Sequence, residues 1–110
     1  MDIKEASVAF AALSQPTRLA VFRLLLQRGD VGMAAGDIAD AMTVRQNTMS
    51  SNLSILVQSG LVRSERQGRS IRYFANMVGI KAMLAFVLEE CCGGRPEQCQ
   101  PLIEELACQC

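Results

Sequence analysis

The stretch DIADAMTVRQNTMSSNLSILVQSGLV, residues 37–62, followed directly by RSERQGRSIRYFA, residues 63–75, decides how this chain folds. In it Met49, Leu53, Leu56 and Val57 fall at i, i+4, i+7 and i+8, the spacing of a helix with one core-facing stripe. The opposite face carries Asn47, Ser50, Ser51, Ser54 and Gln58, and Gly60 stops the helix near Ser59. A shorter helix over residues 34–42 precedes it, and Thr43 with Gln46 three residues on has the form of a capping box opening the longer one. LVRSER and SIRYFA each favour extended structure and flank Gln67 and Gly68, so they read as a two-stranded hairpin.

Upstream, residues 3–14 read as a short helix whose Ile3, Val8, Ala9, Phe10, Ala12 and Leu13 cover more than one stripe, with surface left over for a partner chain. Ser14 is placed to cap the next helix, Pro16 lies in its first turn, and Leu19, Phe22, Leu25 and Leu26 recur at helical spacing up to Gly29. Downstream, Ile80, Met83, Leu84, Val87, Leu88 and Cys91 follow a 3.6 period, while Ala82, Ala85 and Phe86 make the other side apolar too. A helix apolar all round is expected between chains rather than on a monomer's surface. Gly93, Gly94 and Pro96 are expected to end it, leaving residues 93–110 as a polar tail with one helical turn at LIEELA.

The expected fold is therefore mainly α, a winged helix-turn-helix of about five helices and a two-stranded hairpin. Residues 1–92 form the DNA-binding and dimerisation domain and residues 93–110 a cysteine-containing tail. With 110 residues, half of them apolar, the chain holds one core and no second domain. Formal charge is zero, yet residues 61–73 hold Arg63, Arg66, Arg69 and Arg72 against Glu65, and from Glu89 onward five glutamates oppose Arg95. Location thus matters more than the sum. The chain has no histidine, no G-x-G-x-x-G and no P-loop, which argues against an enzyme. It shows no secretory pattern at its N-terminus and no membrane-spanning run, so a cytoplasmic protein without membrane association, with reduced thiols, is expected.

Two short helices with a tight turn, the second presenting small hydrogen-bonding side chains, then an arginine-bearing hairpin, is the order of a winged helix-turn-helix. Asn, Gln and Ser can bridge to base edges in a major groove, and hairpin arginines can meet phosphates or enter the minor groove. Taken alone, these residues equally allow a solvated polar helix and a solvated hairpin. The segment LSQPTRLAVFRLLL (residues 13–26), the stretch 37–62 and the hairpin 63–75 together resemble the ArsR family of bacterial metal-responsive repressors. The resemblance covers about three-quarters of the chain. It implies a homodimer joined through the first and last helices, bound to double-stranded operator DNA at an inverted repeat and released by an inducer. By position, it puts Gln46, Asn47, Thr48, Ser50, Ser51 and Ser54 on the recognition helix and residues 66–70, with Arg66 and Arg69, at the wing tip.

The sequence also departs from that family's pattern. Many arsenic-responsive members carry a cysteine pair in a motif of the form ELCVCDL just before the recognition helix, where this chain has GDIADAM. Zinc-sensing members use Asp, His and Glu across the last helix, a site that a chain without histidine cannot build in its usual form. The proline common near the start of the recognition helix is Asn47 here, and Ser51 and Asn52 stand where histidines are common. Relatives are therefore no guide to the operator sequence.

All five cysteines, Cys91, Cys92, Cys99, Cys108 and Cys110, lie in the last twenty residues. Without imidazole, an all-thiolate site favours soft ions: monovalent copper, cadmium or trivalent arsenic, with all-cysteine zinc still open. Cys92 and Cys99 are separated by up to about 23 Å of extended chain, and closing such a loop costs on the order of 2 kcal/mol. Metal–thiolate binding, roughly 10 kcal/mol or more for structural zinc, exceeds that. Trivalent arsenic prefers three thiolates in a pyramid, and CCGGRPEQC resembles the vicinal pair plus third cysteine of some arsenic-responsive ArsR proteins. That makes Cys91, Cys92 and Cys99 the expected ligands, with Cys108 and Cys110 as a separate C-x-C. Arsenite is the expected inducer, antimonite, methylated arsenicals and cadmium are alternatives, and no organic cofactor is expected. Two other readings remain: a thiol redox switch, disfavoured because Glu89, Glu90 and Glu97 outnumber Arg95, and a metal-buffering or metallochaperone protein, which leaves the helix-turn-helix without a role.

Overall fold

Helix α1, Ile3–Leu13, begins where the Asp2 carboxylate accepts the Glu5 N–H at 2.7 Å. The computed structural model describes residues 1–89 and 96–107. Ala6, Ala9 and Ala12 of α1 are buried and Leu13 packs partly buried against the core, while Ile3, Val8 and Phe10 stay exposed. Ser14 does not cap the following helix as expected. It closes α1, its N–H and Oγ both donating to the Ala11 carbonyl at 3.2 and 2.8 Å. Gln15 caps α2, Pro16–Arg28, through Oε1, which accepts the Arg18 N–H at 2.8 Å. Pro16 is the first residue of α2, where its missing N–H costs nothing. Val21, Phe22 and Leu25 carry α2 into the core, and Leu19 and Leu26 do not follow them.

The break after α2 is more structured than its sequence suggests. A 3-10 turn, Gly29–Val31, leads into a two-residue strand β1, Met33–Ala34, and the helix expected from Ala34 begins one residue later as α3, Ala35–Met42. Strand β1 pairs antiparallel with the second hairpin strand, Met33 opposite Tyr73, so the sheet has three strands instead of two. Gly32 makes this approach possible. It holds φ +63°, and a Cβ there would lie 2.5 Å from the Tyr73 carbonyl oxygen and 2.6 Å from the Phe74 ring.

Thr43 is not the first residue of a capping box. It adopts the left-handed conformation, φ 54° and ψ 47°, as the C-cap of α3, and α4 runs Gln46–Gln58 with Arg45 as its N-cap. Val44 donates its N–H to the Ala39 carbonyl at 3.0 Å, which keeps the turn between α3 and α4 tight. Met49, Leu53 and Leu56 are buried as the periodicity requires, against Ile38 and Ala39 of α3 and Val21, Phe22 and Leu25 of α2. Strands β2, Val62–Gln67, and β3, Ser70–Ala75, pair from Val62 with Ala75 to Gln67 with Ser70, around a turn in which Gly68 takes φ +66°.

Helix α5, Met77–Leu88, fully buries only Met83, while Val78, Leu84 and Val87 are at least half exposed. Pro96 starts a helix instead of ending one. Helix α6, Pro96–Ala107, spans twelve residues where a single turn was expected, with Pro at its first position and Pro101 inside. The structure is thus mainly α, with six α-helices and a three-stranded antiparallel sheet among the described residues. No helix among them is long and apolar enough to cross a membrane.

Candidate nucleic-acid interface

The outward face of α4 is a row of short polar side chains held by a buried row beneath. Gln46, Asn47, Thr48, Ser50, Ser51 and Ser54 are all exposed. Two of these make local bonds only: Asn47 Oδ1 accepts the Thr48 N–H at 2.9 Å and Ser51 Oγ donates to the Asn47 carbonyl at 3.3 Å. The Asn47 amide nitrogen, the Gln46 amide and the hydroxyls of Thr48, Ser50 and Ser54 have no hydrogen-bond partner among the described residues, the Gln46 amide nitrogen lying near Gly36 of α3. Asn52 behaves differently. It is half-buried and turned toward α2, where its Oδ1 accepts from Arg18 Nη1 at 3.3 Å.

Arg45 was missed by the sequence reading. It is exposed and is the N-cap residue of α4, with no cap bond from its own side chain. A cation beside the N–H groups at the positive end of a helix dipole suits an approaching anion. Reading Thr43 as the N-cap placed Arg45 inside the helix and hid this position.

The four hairpin arginines divide into two pairs. Arg63 reaches Glu65 Oε2 at 3.3 Å and stacks over the Phe74 ring at 4.1 Å from its centroid, which fixes the base of the hairpin. Arg72 donates from Nε to the Val31 carbonyl at 2.7 Å and from Nη2 to the Gly32 carbonyl at 3.5 Å, holding β3 to the 3-10 turn. Arg66 and Arg69 remain at the tip, exposed and without a hydrogen bond or ion pair to any described residue. The hairpin arginines without a partner among the described residues are therefore the two at its far end, Arg66 and Arg69.

The cysteine site is a different case. Cys91, Cys92, Cys108 and Cys110 lie outside the described residues, and of Cys99 only its backbone position in the first turns of α6 is described. Because residues 96–99 are helical, at a rise of about 1.5 Å per residue, the reach from Cys92 to Cys99 is at most about 18 Å, below the extended value.

A helix-turn-helix domain family profile matches residues 13–65. The transcriptional repressor SdpR of Bacillus subtilis is 34% identical over 79 residues, covering 72% of this chain and 84% of that protein. The arsenical resistance operon repressor of Escherichia coli is 29% identical over 100 residues, covering 91% and 83%. Among solved structures, an ArsR-like transcriptional regulator from Rhodococcus sp. RHA1 superposes with a TM-score of 0.69 at 30% identity, covering 94% of this chain and 93% of that one. A homodimeric winged helix-turn-helix DNA-binding domain from Mycobacterium bovis gives 0.64 at 28% identity, covering 80% and 82%. With two such relatives matched over most of their length and the helix-turn-helix and wing in place, the chain belongs to the ArsR family of winged helix-turn-helix transcriptional regulators.

Proposed function

We propose that this protein is a homodimeric repressor that binds an inverted-repeat operator through α4 and the wing and leaves it when trivalent arsenic binds Cys91, Cys92 and Cys99. The observation that carries the reading is the exposed Gln46–Ser54 face of α4 together with the two exposed wing-tip arginines, which have no partner among the described residues. Short hydroxyl and amide side chains suit base edges, and the arginines suit phosphates on either side.

Dimerisation follows from α1 and α5. Val8 lines an open groove of about 660 Å³ with Val78, Gly79 and Ala82, and Leu84 and Val87 extend the apolar surface of α5. Two amphipathic helices left with this much apolar surface are most stable when a second copy covers it. The homodimeric neighbour from Mycobacterium bovis supports the same arrangement.

For the inducer, the support is the donor set. Five thiols and no imidazole fit a soft, thiophilic ion, and three of the thiols, Cys91, Cys92 and Cys99, lie within nine residues of sequence. The Escherichia coli relative, an arsenical resistance operon repressor, favours arsenic among such ions. Antimonite, methylated arsenicals and cadmium share the chemistry, and Cys108 and Cys110 could add ligands.

A gel shift of the protein on the DNA upstream of its own gene, with and without arsenite, tests the reading. Specific binding that arsenite abolishes is the expected result. Absence of specific binding would leave a metal-buffering protein, and release by peroxide but not by arsenite would leave a redox switch.

A further inference from the structure

Arg18 connects three elements through one guanidinium. Nε donates to the Ala12 carbonyl at 2.7 Å, Nη2 to the Ala11 carbonyl at 3.5 Å, and Nη1 to Asn52 Oδ1 at 3.3 Å. The first two acceptors belong to the last turn of α1, at the negative end of its dipole, and the Ala11 carbonyl also accepts from the Ser14 N–H and hydroxyl. Ala12 is the clearest case. The residue four places on, which would normally donate to it, is Pro16, and proline has no N–H. The guanidinium takes that place.

The third acceptor lies on α4, beside the groove-facing row. Asn52 follows Ser51 directly, so its own direction is linked to that of the outward face. The buried contacts of Met49, Leu53 and Leu56 hold α4 against the core, but apolar packing is non-directional and tolerates small rotations of the helix about its axis. A hydrogen bond does not, because it weakens steeply with misalignment. The Arg18–Asn52 bond is the polar side-chain link from α4 to α2 among the described residues, and through Arg18 it reaches α1.

We propose that Arg18 is a positioning residue for operator reading, setting the rotation of the recognition helix relative to α1 through Asn52. The inference rests on the DNA-binding reading above and adds to it a route from the dimer-forming helix to the base-reading face. Loss of the link changes where Ser51 and Ser54 point, while Arg66 and Arg69 still meet phosphate.

The test compares the full-length wild type with Arg18→Lys, Asn52→Ala and the double variant, measuring affinity for operator and for random DNA over a range of salt, with thermal melting as a check on folding. Arg18→Lys keeps the charge at the end of α1 but cannot bridge three acceptors. Asn52→Ala leaves the α1 carbonyls capped. Each single variant should lower the preference for operator over random DNA by roughly ten- to a hundredfold, the loss of one hydrogen bond to a charged group. The salt slope should hardly move, each variant should still melt cooperatively although at a lower midpoint, and the double variant should lose no more operator preference than either single one. If the wild type prefers its operator and both variants match it, or if the losses multiply in the double variant, the inference falls while the DNA-binding reading stands. A wild type that prefers no operator overturns both.

Discussion

The side-chain amide of Asn76 donates from Nδ2 to the carbonyl oxygen of Gly60 at 2.9 Å, joining the residue before α5 to the turn that ends α4. The Asn76 N–H also reaches the Leu61 carbonyl at 2.9 Å. Gly79, in the first turn of α5, packs on the same Gly60 carbonyl so closely that any Cβ would collide with it. The turn that ends α4 and the first turn of α5 thus meet backbone to backbone, so a displacement of α5 is felt at the end of α4.

Gly79→Ala should force α5 away from Gly60 and destabilise the fold by about 1–3 kcal/mol, the usual cost of overpacking a tight contact. Urea unfolding monitored by circular dichroism measures this. An unchanged midpoint would mean that α5 does not rest on Gly60. Asn76→Ala removes the hydrogen bond without a clash and should cost about 1 kcal/mol.

Replacing Arg66 and Arg69 together with alanine should weaken binding to all DNA alike. If each arginine of a dimer neutralises one phosphate, the slope of log K against log salt falls by about 3 to 4 units. Arg63→Ala and Arg72→Ala should act otherwise, lowering the melting midpoint because they remove the ring contact with Phe74 and the bond to Val31. Fluorescence anisotropy across a salt series separates the pairs, and an unchanged slope in the Arg66, Arg69 double variant removes the wing tip from the interface.

Leu84→Glu puts a charge on the exposed face of α5 and should turn a dimer into a monomer in sedimentation analysis, with operator binding lost along with it. The wild-type dimer should protect two half-sites about 10 bp, or roughly 34 Å, apart or a multiple of that spacing. A Leu84→Glu protein that stays dimeric would place the subunit contact elsewhere.

Serine at Cys91, Cys92 or Cys99 should leave operator binding intact and make it insensitive to arsenite, whereas serine at Cys108 and Cys110 should have a smaller effect. A coupling of about 3 kcal/mol between arsenic and DNA would weaken operator binding roughly 150-fold in the wild type. Arsenite titrations followed by gel shift give the factor. Full release from the triple variant at Cys91, Cys92 and Cys99 moves the sensor to Cys108 and Cys110.

Local signals in the chain settled most of the elements. The spacing of Met49, Leu53 and Leu56, the Pro16 and Gly29 limits of α2, and Gly68 between two extended segments each depend on neighbours a few residues away, and each appears in the structure as read. The outward Asn47, Ser50, Ser51 and Ser54 of α4 followed from the same periodicity, whereas the assignment of Arg66 and Arg69 to the wing tip came from the resemblance to the ArsR family. Thr43 shows where local signals fail: a threonine three residues before Gln46 suits a helix start, yet packing of α3 on α4 makes it a left-handed helix end. Pro96 is similar, since proline both follows helices and opens them, and here it opens α6.

What only tertiary structure decided is what depends on partners distant in sequence. Strand β1 exists because Met33 and Ala34 meet β3 some forty residues on, and two residues carry no pattern of their own. Four arginines in thirteen residues look alike as a string. Two become structural because Arg63 finds Phe74 and Arg72 finds the Val31 carbonyl, and this leaves Arg66 and Arg69 for a ligand. Asn52 sits among groove-facing residues in the sequence and turns inward because Arg18, 34 positions earlier, is there to meet it. Periodicity and turn chemistry are short-range and can be read along the chain, whereas a charge or an amide acquires its role from whichever group folding brings within hydrogen-bond reach.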